Sequence, residues 1–172
     1  MILCSVQNSA VIKTDWIQKR PRITQHFGLN PQIYSKFKMK GHNGIDYGVP
    51  VGTKVFAPMD GIVKVVDSGV KGYGLHVRIR NEFKAAEMVV AHLSRVSTVT
   101  GSRVSAGDLL GLSGDTGYSF GAHVHEGFRL LKPYDGNIYR WEVLNYDNGY
   151  LGYIDHLEWV ISWKGTLFKN TL

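Results

Sequence analysis

Short apolar segments separated by glycine dominate the middle of the chain. Fourteen of the 20 glycines lie between residues 41 and 121. Residues 61–66, 75–79 and 88–92 alternate apolar and polar positions or are rich in β-branched residues, which favours strands. Two more strands are predicted in residues 104–112 and 122–128. We therefore expect four or five antiparallel strands with polar outer faces, arranged as a sandwich or small barrel-like sheet, and no amphipathic helix before residue 154.

The last 40 residues differ in kind from this region. They hold nine of the 20 aromatic residues, and a short helix is predicted from about residue 155 to residue 163, with Leu157, Val160 and Ile161 on one face. These aromatics fit two interpretations. They cover the sheet as part of the core, or they form an exposed surface that stacks on sugar rings.

Composition narrows the class of protein. A chain of 172 residues with 44% hydrophobic and 20% charged residues fits one compact soluble domain, and no apolar run reaches the roughly 18 residues of a membrane span. The net charge of +6 is uneven, because residues 1–132 carry 17 basic and nine acidic side chains whereas residues 133–172 carry three and five. A body of about +8 favours an anionic partner such as nucleic acid, an acidic cell-wall polymer or a membrane surface.

The amino-terminal residues exclude two further features. Cys4 is the single cysteine, so the chain has no internal disulfide. The first residues show neither a basic start nor an apolar stretch long enough for a classical secretory signal. If the protein acts outside the cell that makes it, we expect another route of release.

Histidines in three segments suggest metal chemistry. His42 and Asp46 form an H-x-G-x-D motif whose even spacing puts both side chains on one face of an extended chain, where they suit zinc or a structural hydrogen bond. His123 and His125 likewise share one side of a strand, and His92 ends an apolar strand. Singly, each histidine also fits a merely structural role.

Taken together, the three segments predict a hydrolytic zinc site. His42, Asp46 and His125 would supply three protein ligands and leave the fourth tetrahedral position open, as in catalytic zinc sites. His92 and His123 would then be spare imidazoles that take up and return a proton. We expect one zinc ion for each chain.

The sequence that contains these histidines resembles the lysostaphin-type zinc metallopeptidases, the M23 or LytM-like peptidoglycan hydrolases. The resemblance covers residues 22–132 and is carried, in order, by ITQHFG at 23–28, HNGIDYG at 42–48, PVGTKVFAPMDGIV at 50–63, AHLS at 91–94, VSAGDLLG at 104–111, SGDTG at 113–117 and HVH at 123–125. A weaker echo of the family's closing segment lies at residues 153–157. One departure is that the family usually has an aromatic residue and then an acid after the last histidine, where this chain has Glu126 and Gly127.

The resemblance implies a mostly antiparallel β fold with a narrow groove and one zinc ion. It also implies zinc ligation by His42, Asp46 and His125 and catalysis by His92 and His123. His26 is a candidate to line the groove, and Tyr34 or Tyr47 to donate to the oxyanion. His76 is interpreted as a surface strand residue. The predicted organisation is an amino-terminal segment, 1–21, a peptidase core, 22–132, and an aromatic-rich extension, 133–172, that packs on the core.

The leading hypothesis is a zinc endopeptidase that hydrolyses stem or cross-bridge peptides of bacterial peptidoglycan. The alternative is a catalytically silent wall-binding or activator module of the same fold. A DNA-binding role is disfavoured, since residues 22–132 show no recognition helix or aromatic platform. We expect a monomer without a membrane-spanning segment, acting on the cell wall as a phage lysin, a virion component or a bacterial protein exported without a classical signal.

Overall fold

Two antiparallel sheets make up the part of the chain that the structure describes. The computed structural model describes residue 17 and residues 21–157, apart from the side chains of residues 138 and 139. The strands in this part of the chain are β1 Arg22–Gln25, β2 Ile45–Gly48, β3 Lys54–Phe56, β4 Gly61–Asp67, β5 Leu75–Asn81, β6 Ala86–Ala91, β7 Leu93–Val96, β8 Arg103–Val104, β9 Leu109–Ser113, β10 His123–Tyr134, β11 Asn137–Val143 and β12 Tyr153–Ile154. A short helix, α1 Pro31–Tyr34, runs into a 3-10 turn at Ser35–Phe37.

The larger sheet has the strand order β1-β2-β10-β6-β5-β4-β8, and β11 and β12 also pair with β10. The smaller sheet has the order β3-β9-β7. Period-two alternation gives each strand an apolar face. In β5, for example, Val77 and Ile79 are fully buried and join Val55, Leu93 and Leu110 of the smaller sheet in one core. The opposite face of the larger sheet is thereby free to carry polar side chains.

The predicted antiparallel, mostly β fold is confirmed, and each of the five predicted segments contains a strand. More strands form than expected, because β1, β3, β7, β8 and β12 have only two to four residues and leave little periodic pattern. α1 is a single turn with no buried residue, so it is not the amphipathic helix whose absence before residue 154 is expected. Most of the predicted helix at 155–163 lies outside the described residues.

The aromatic-rich extension contributes strands to the larger sheet. β10 itself crosses residue 132, and β11 and β12 pair with it at Leu131–Tyr134 and at Phe128 and Arg129. Tyr153 is buried, so at least this aromatic belongs to the core. Across residues 17 and 21–157, no helix has the length and apolarity required to cross a bilayer.

The interpretation of His76 as a surface residue is wrong. His76 is 2% exposed. Its Nδ1 hydrogen-bonds to the Gly74 carbonyl oxygen at 2.9 Å, and the Tyr73 ring lies 5.4 Å away. Burial lowers the pKa of His76, so the imidazole is accommodated in its neutral form.

A buried ion pair joins β6 to β10. Glu87 is 3% exposed, and its Oε1 accepts hydrogen bonds from Arg129 Nε at 3.0 Å and Nη2 at 2.5 Å. Burial opposes ionisation of Glu87, but Arg129, assisted by Arg78 and Arg80, outweighs it and lowers the pKa. The carboxylate therefore stays charged, and removing it leaves Arg129 buried without a counterion.

We expect Glu87→Gln to lower the free energy of unfolding by about 3 kcal/mol, because breaking a buried pair leaves an uncompensated charge. Glu142→Gln is the matched control. It removes the carboxylate of an exposed pair with Lys132 (3.0 Å) and should cost about 1 kcal/mol or less. Denaturant unfolding at neutral pH measures both.

The stability lost in Glu87→Gln should depend on pH. A carboxyl with a lowered native pKa stabilises the fold above its unfolded pKa, and this contribution is lost as the pH falls through the native pKa. The difference between the unsubstituted protein and Glu87→Gln should therefore shrink in acid. Equal stabilities of Glu87→Gln and Glu142→Gln at neutral pH would contradict the assignment.

Candidate metal centre

The pairing of β2 with β10 brings three metal-ligating side chains together. Asp46 lies directly opposite His125, and His42 lies three residues before the start of β2. The His42 Nε2, Asp46 Oδ1 and His125 Nδ1 atoms lie 2.9–3.0 Å from one another. Tetrahedral zinc with bonds of about 2.0–2.1 Å separates its ligand atoms by roughly 3.3 Å, so the spacing is close to that of a metal site.

Gly44 allows the two strands to approach this closely. A Cβ at residue 44 would lie 2.3 Å from the Glu126 carbonyl oxygen and 2.5 Å from the His125 ring. Any side chain here would push the loop that carries His42 away from β10. The glycine of the H-x-G-x-D motif is thus required by the close packing of the loop on the His125 ring.

The electrostatic state of the three side chains suits a cation. Burial opposes ionisation of Asp46, but its close contacts with the His125 and His42 rings outweigh burial and hold the pKa of Asp46 well below the usual range. Burial lowers the pKa of His125 to about 3. At neutral pH the cluster therefore presents a carboxylate beside an imidazole with a free lone pair.

A backbone oxygen atom fixes which nitrogen of His42 is free. His42 Nδ1 lies 3.1 Å from the His26 carbonyl oxygen. Because a carbonyl can only accept, this nitrogen carries the proton and His42 Nε2 presents its lone pair to the cluster. Two imidazole nitrogens and a carboxylate oxygen, all aimed at one point and almost wholly buried, form a donor set that fits a zinc ion.

His92 and His123 lie beside the cluster with their rings 4.6 Å apart. His92 Nδ1 donates to the Thr116 carbonyl oxygen at 2.7 Å, and His123 Nδ1 donates to that of Gly121 at 2.7 Å. Both Nε2 atoms are therefore acceptors, and that of His123 lies 3.7 Å from Asp46 Oδ2. Burial, reinforced by His123, lowers the pKa of His92 to about 4.

His92 adopts a backbone conformation that is uncommon for a non-glycine residue. Its φ of +60° makes the sharp corner between β6 and β7. Such strain persists only where the surroundings enforce it. Here the corner turns the imidazole towards His123, which it would not face if β6 continued straight.

A groove of about 480 Å³ opens over these residues. One wall comes from α1 and the following turn, with Tyr34, Phe37 and Met39, and the other from residues 118–123. Phe37 and Tyr118 meet across it with ring centroids 5.5 Å apart. The predicted narrow groove is present, and its floor holds all five predicted site residues.

Of the two candidate tyrosines, the structure brings Tyr34 to the site. Its ring centroid lies 5.3 Å from that of His42, and burial followed by the Asp46 charge raises its pKa to about 12, so the hydroxyl keeps its proton. Tyr47 follows Asp46 in β2, points to the opposite face of the sheet and packs against the core near Glu126. His26 is exposed and does not line the groove, although its carbonyl oxygen holds His42.

The sequence profile of peptidase family M23 matches residues 40–136. The chain belongs to peptidase family M23. Among curated relatives, an uncharacterized metalloprotease of Haemophilus influenzae is 33% identical over 114 residues, which is 66% of this chain and 24% of the relative. A DD-carboxypeptidase/endopeptidase, Mpg, of Neisseria meningitidis serogroup B is 38% identical over 112 residues, 63% of this chain and 24% of the relative. The chain thus spans about a quarter of these relatives' length.

Among solved structures, the catalytic domain of a prophage-encoded M23 protein, EnpA, from Enterococcus faecalis is similar. The identity is 30% and the TM-score 0.57, with 76% of this chain and 92% of that one covered. The sequence profile, the curated relatives and the similar solved structure therefore all agree with the assignment to family M23.

The departure from the M23 pattern after His125 has a structural counterpart. Glu126 is 1% exposed on the inner face of β10, and its Oε2 lies 3.0 Å from Nε2 of His156, which is 2% exposed. The register of β10 does not slip, since His125 still faces Asp46. Residues 123–128 alone gave no signal for this partner, because His156 is 30 residues away and belongs to the extension.

We expect His42→Ala to abolish binding of one zinc ion, because two remaining ligands hold the metal too weakly. His26→Ala is the matched control, since it removes a nearby exposed imidazole but keeps the carbonyl oxygen that orients His42. Metal content by mass spectrometry and zinc titration calorimetry measure the effect. Zinc retained by His42→Ala at the level of the control would contradict the ligand assignment.

Proposed function

We propose that the protein is a zinc metalloendopeptidase that hydrolyses peptide bonds in bacterial peptidoglycan. The observation that carries the proposal is the juxtaposition of three buried ligand atoms, 2.9–3.0 Å apart, with the two acceptor nitrogens of His92 and His123 on the floor of one groove. Binding alone would not require two imidazoles oriented in this way beside such a cluster. A hydrolytic role therefore accounts for more of the site than the silent wall-binding alternative.

His42, Asp46 and His125 would hold the zinc ion. When bound, zinc would polarise the scissile carbonyl and lower the pKa of an attacking water. The remaining work falls to side chains of the groove. The carboxylate of Asp46 offsets the charge of the ion, and the His26 carbonyl oxygen keeps the lone pair of His42 on the correct side.

His92 and His123 would move the proton. Their Nε2 atoms are the free acceptors next to the cluster, so either can take the proton of the attacking water and return it to the leaving amine. Ser119 Oγ lies 3.3 Å from His123 Nδ1 and adds a second contact that holds this ring.

Tyr34 would stabilise the oxyanion. Its hydroxyl stays protonated at neutral pH and accepts a hydrogen bond from Gln25 Nε2 at 3.1 Å, which leaves its own proton to donate into the groove. A donor fixed in this way stabilises charge that develops during the reaction.

The substrate class rests on the family and on charge. Mpg of Neisseria meningitidis is named a DD-carboxypeptidase/endopeptidase, and the net charge of +6 suits an anionic wall polymer. We infer that the partner is peptidoglycan rather than nucleic acid, and that the protein acts as a monomer. A lytic, phage-derived role is part of the proposal, supported by the likeness to the prophage-encoded EnpA. The peptidase core at 22–132, with residues 133–172 packed on it, remains our proposed domain organisation.

The proposal is tested by clearing of purified sacculi with and without a chelator. We expect clearing to stop on chelation and to return with zinc. Mass spectrometry of the released muropeptides from sacculi of known chemotype then identifies the bond that is cut. Added to intact cells, the protein should lower turbidity if its role is lytic.

His92→Ala and His123→Ala should each lower the rate by about 100-fold or more, since each removes a general acid–base group, while both retain zinc. His26→Ala should clear sacculi at the unsubstituted rate. Binding to sacculi without clearing by the zinc-loaded protein would favour the silent module. Full activity of zinc-loaded His123→Ala would remove His123 from the mechanism.

We expect Tyr34→Phe to lower kcat roughly 100-fold with little change in KM, because the lost donor acts mainly on the developing oxyanion. Tyr47→Phe removes a hydroxyl from the neighbouring strand but on the far face, so kcat should be unchanged. Steady-state hydrolysis of a peptide substrate measures both. A larger loss in Tyr47→Phe than in Tyr34→Phe would reverse the assignment.

A further inference from the structure

The sheet face that carries the metal centre also carries a second, strongly basic area. Directly paired residues of antiparallel strands project on the same side of the sheet. One row across the sheet consists of Arg103, Ile62, Arg80, Glu87 and Arg129, and the next row towards the metal centre consists of Lys64, Arg78, Val89 and Gly127. We call Lys64, Arg78, Arg80 and Arg103 the basic face.

The charges of these two rows do not balance. Glu87 is the one carboxylate in them, and Arg129 holds it at 2.5 Å. Arg80 and Arg78 share the same carboxylate at longer distances, 3.2 Å and 3.5 Å. Counting Arg129, five cations therefore face one anion on this part of the sheet.

Lys64 lies directly opposite Arg78 in the register of β4 and β5. Like charges in directly opposed positions destabilise a sheet, so the pair is unfavourable in the isolated protein. An anion lying over the pair would turn this repulsion into attraction. The pairing therefore indicates a ligand rather than a contribution to folding.

The basic face is open to such a ligand. Lys64 and Arg103 are exposed, and the side chains of Arg78 and Arg80 are 30% and 42% exposed. Ile62, 38% exposed, lies between Arg80 and Arg103 and adds an apolar contact at the centre. Cations around an exposed aliphatic side chain fit a polymer that carries both carboxylates and apolar groups.

The position of the basic face relates it to the metal centre. The row that contains Arg80 and Arg103 meets β10 at Arg129, which stands on the same side of the sheet as His125 and roughly 13 Å from it along the strand. Within this row, Arg80 and Arg103 lie two and four strands from β10. An extended ligand that crosses the metal centre could thus also cover the basic face. Nucleic acid would meet the cations but has no peptide bond for the metal centre.

We propose that the basic face is a second binding surface for peptidoglycan, engaging the free carboxylates of stem peptides. This inference rests on the proposed function, because it takes the polymer at the basic face to be the one whose peptide bonds the groove would cleave. The face holds the polymer by charge and takes no part in the chemistry. Reversing charges on the basic face should weaken binding to sacculi and leave hydrolysis of a small uncharged peptide unchanged.

The test compares two double variants of equal net charge. Lys64→Glu with Arg103→Glu reverses the exposed cations of the basic face and spares the Glu87 network. Lys54→Glu with Arg95→Glu reverses two exposed cations of the smaller sheet, which both stand opposite Leu112. Binding is measured by co-sedimentation with sacculi stripped of phosphate polymers, at 4 °C and in a His123→Ala background that prevents digestion.

At low salt we expect the basic-face variant to bind roughly tenfold more weakly and the control to match the parent. Amidation of the sacculus carboxylates should abolish the difference between the two variants. Equal binding by both variants would overturn the proposal. So would a deficit that survives amidation, or one seen only when phosphate polymers or duplex DNA replace the stripped sacculi.

Hydrolysis of the uncharged peptide separates this inference from the proposed function. Without the His123→Ala background, both double variants should cleave it at the parental kcat/KM. Failure of the unsubstituted protein to cleave any peptide or sacculus would overturn the proposed function. A loss of peptide cleavage confined to the basic-face variant would instead contradict a role restricted to binding.

Discussion

The antiparallel register between β2 and β10 is the constraint on which the site depends. It sets Asp46 opposite His125 and His123 opposite Gly48, so that the carboxylate and both strand histidines share one side of the sheet. A slip of one residue would send these side chains into the core, because neighbouring residues of a strand face opposite sides. The buried apolar residues of β10, Val124 and Phe128, prevent such a slip, since it would expose them. The core thereby secures the geometry of a site that it does not touch.

Backbone carbonyl oxygens orient the imidazoles that the strand register brings to the site. Those of His26, Thr116 and Gly121 each accept a proton from a different histidine, and each belongs to a loop rather than a strand. Three imidazoles are thus oriented without the cost of additional charged residues in a buried region. The strained corner at His92 serves the same end, because it lets a residue at the end of an apolar strand face the groove.

The antiparallel β class and five candidate site residues that lie together could be predicted from the sequence, but the full set of strands could not. His42, Asp46, His92, His123 and His125 could be predicted because even spacing on strands and ligand chemistry are local properties. Strands of two to four residues could not, because so short a stretch has no readable period. The choice between Tyr34 and Tyr47 also required the structure, since it depends on which face of β2 meets the groove.

The partners of buried polar side chains also cannot be predicted from local sequence patterns. An isolated histidine on a strand, such as His76, is predicted to be exposed until its contacts with the Tyr73 ring and the Gly74 carbonyl oxygen are known. The partnership of Glu126 with His156 depends on two residues that no periodicity connects. Both cases concern buried polar groups, whose presence becomes intelligible only with their partners.

The Glu126–His156 pair also bears on where this chain can be shortened. A chain ending at residue 136, where the family profile stops, would retain every residue assigned to the metal and to proton transfer. It would nevertheless lose β12 and the imidazole that meets Glu126, leaving a carboxylate inside the protein directly beside His125. The smallest autonomous unit is therefore longer than the stretch that the family profile matches, and its carboxyl-terminal limit lies beyond His156.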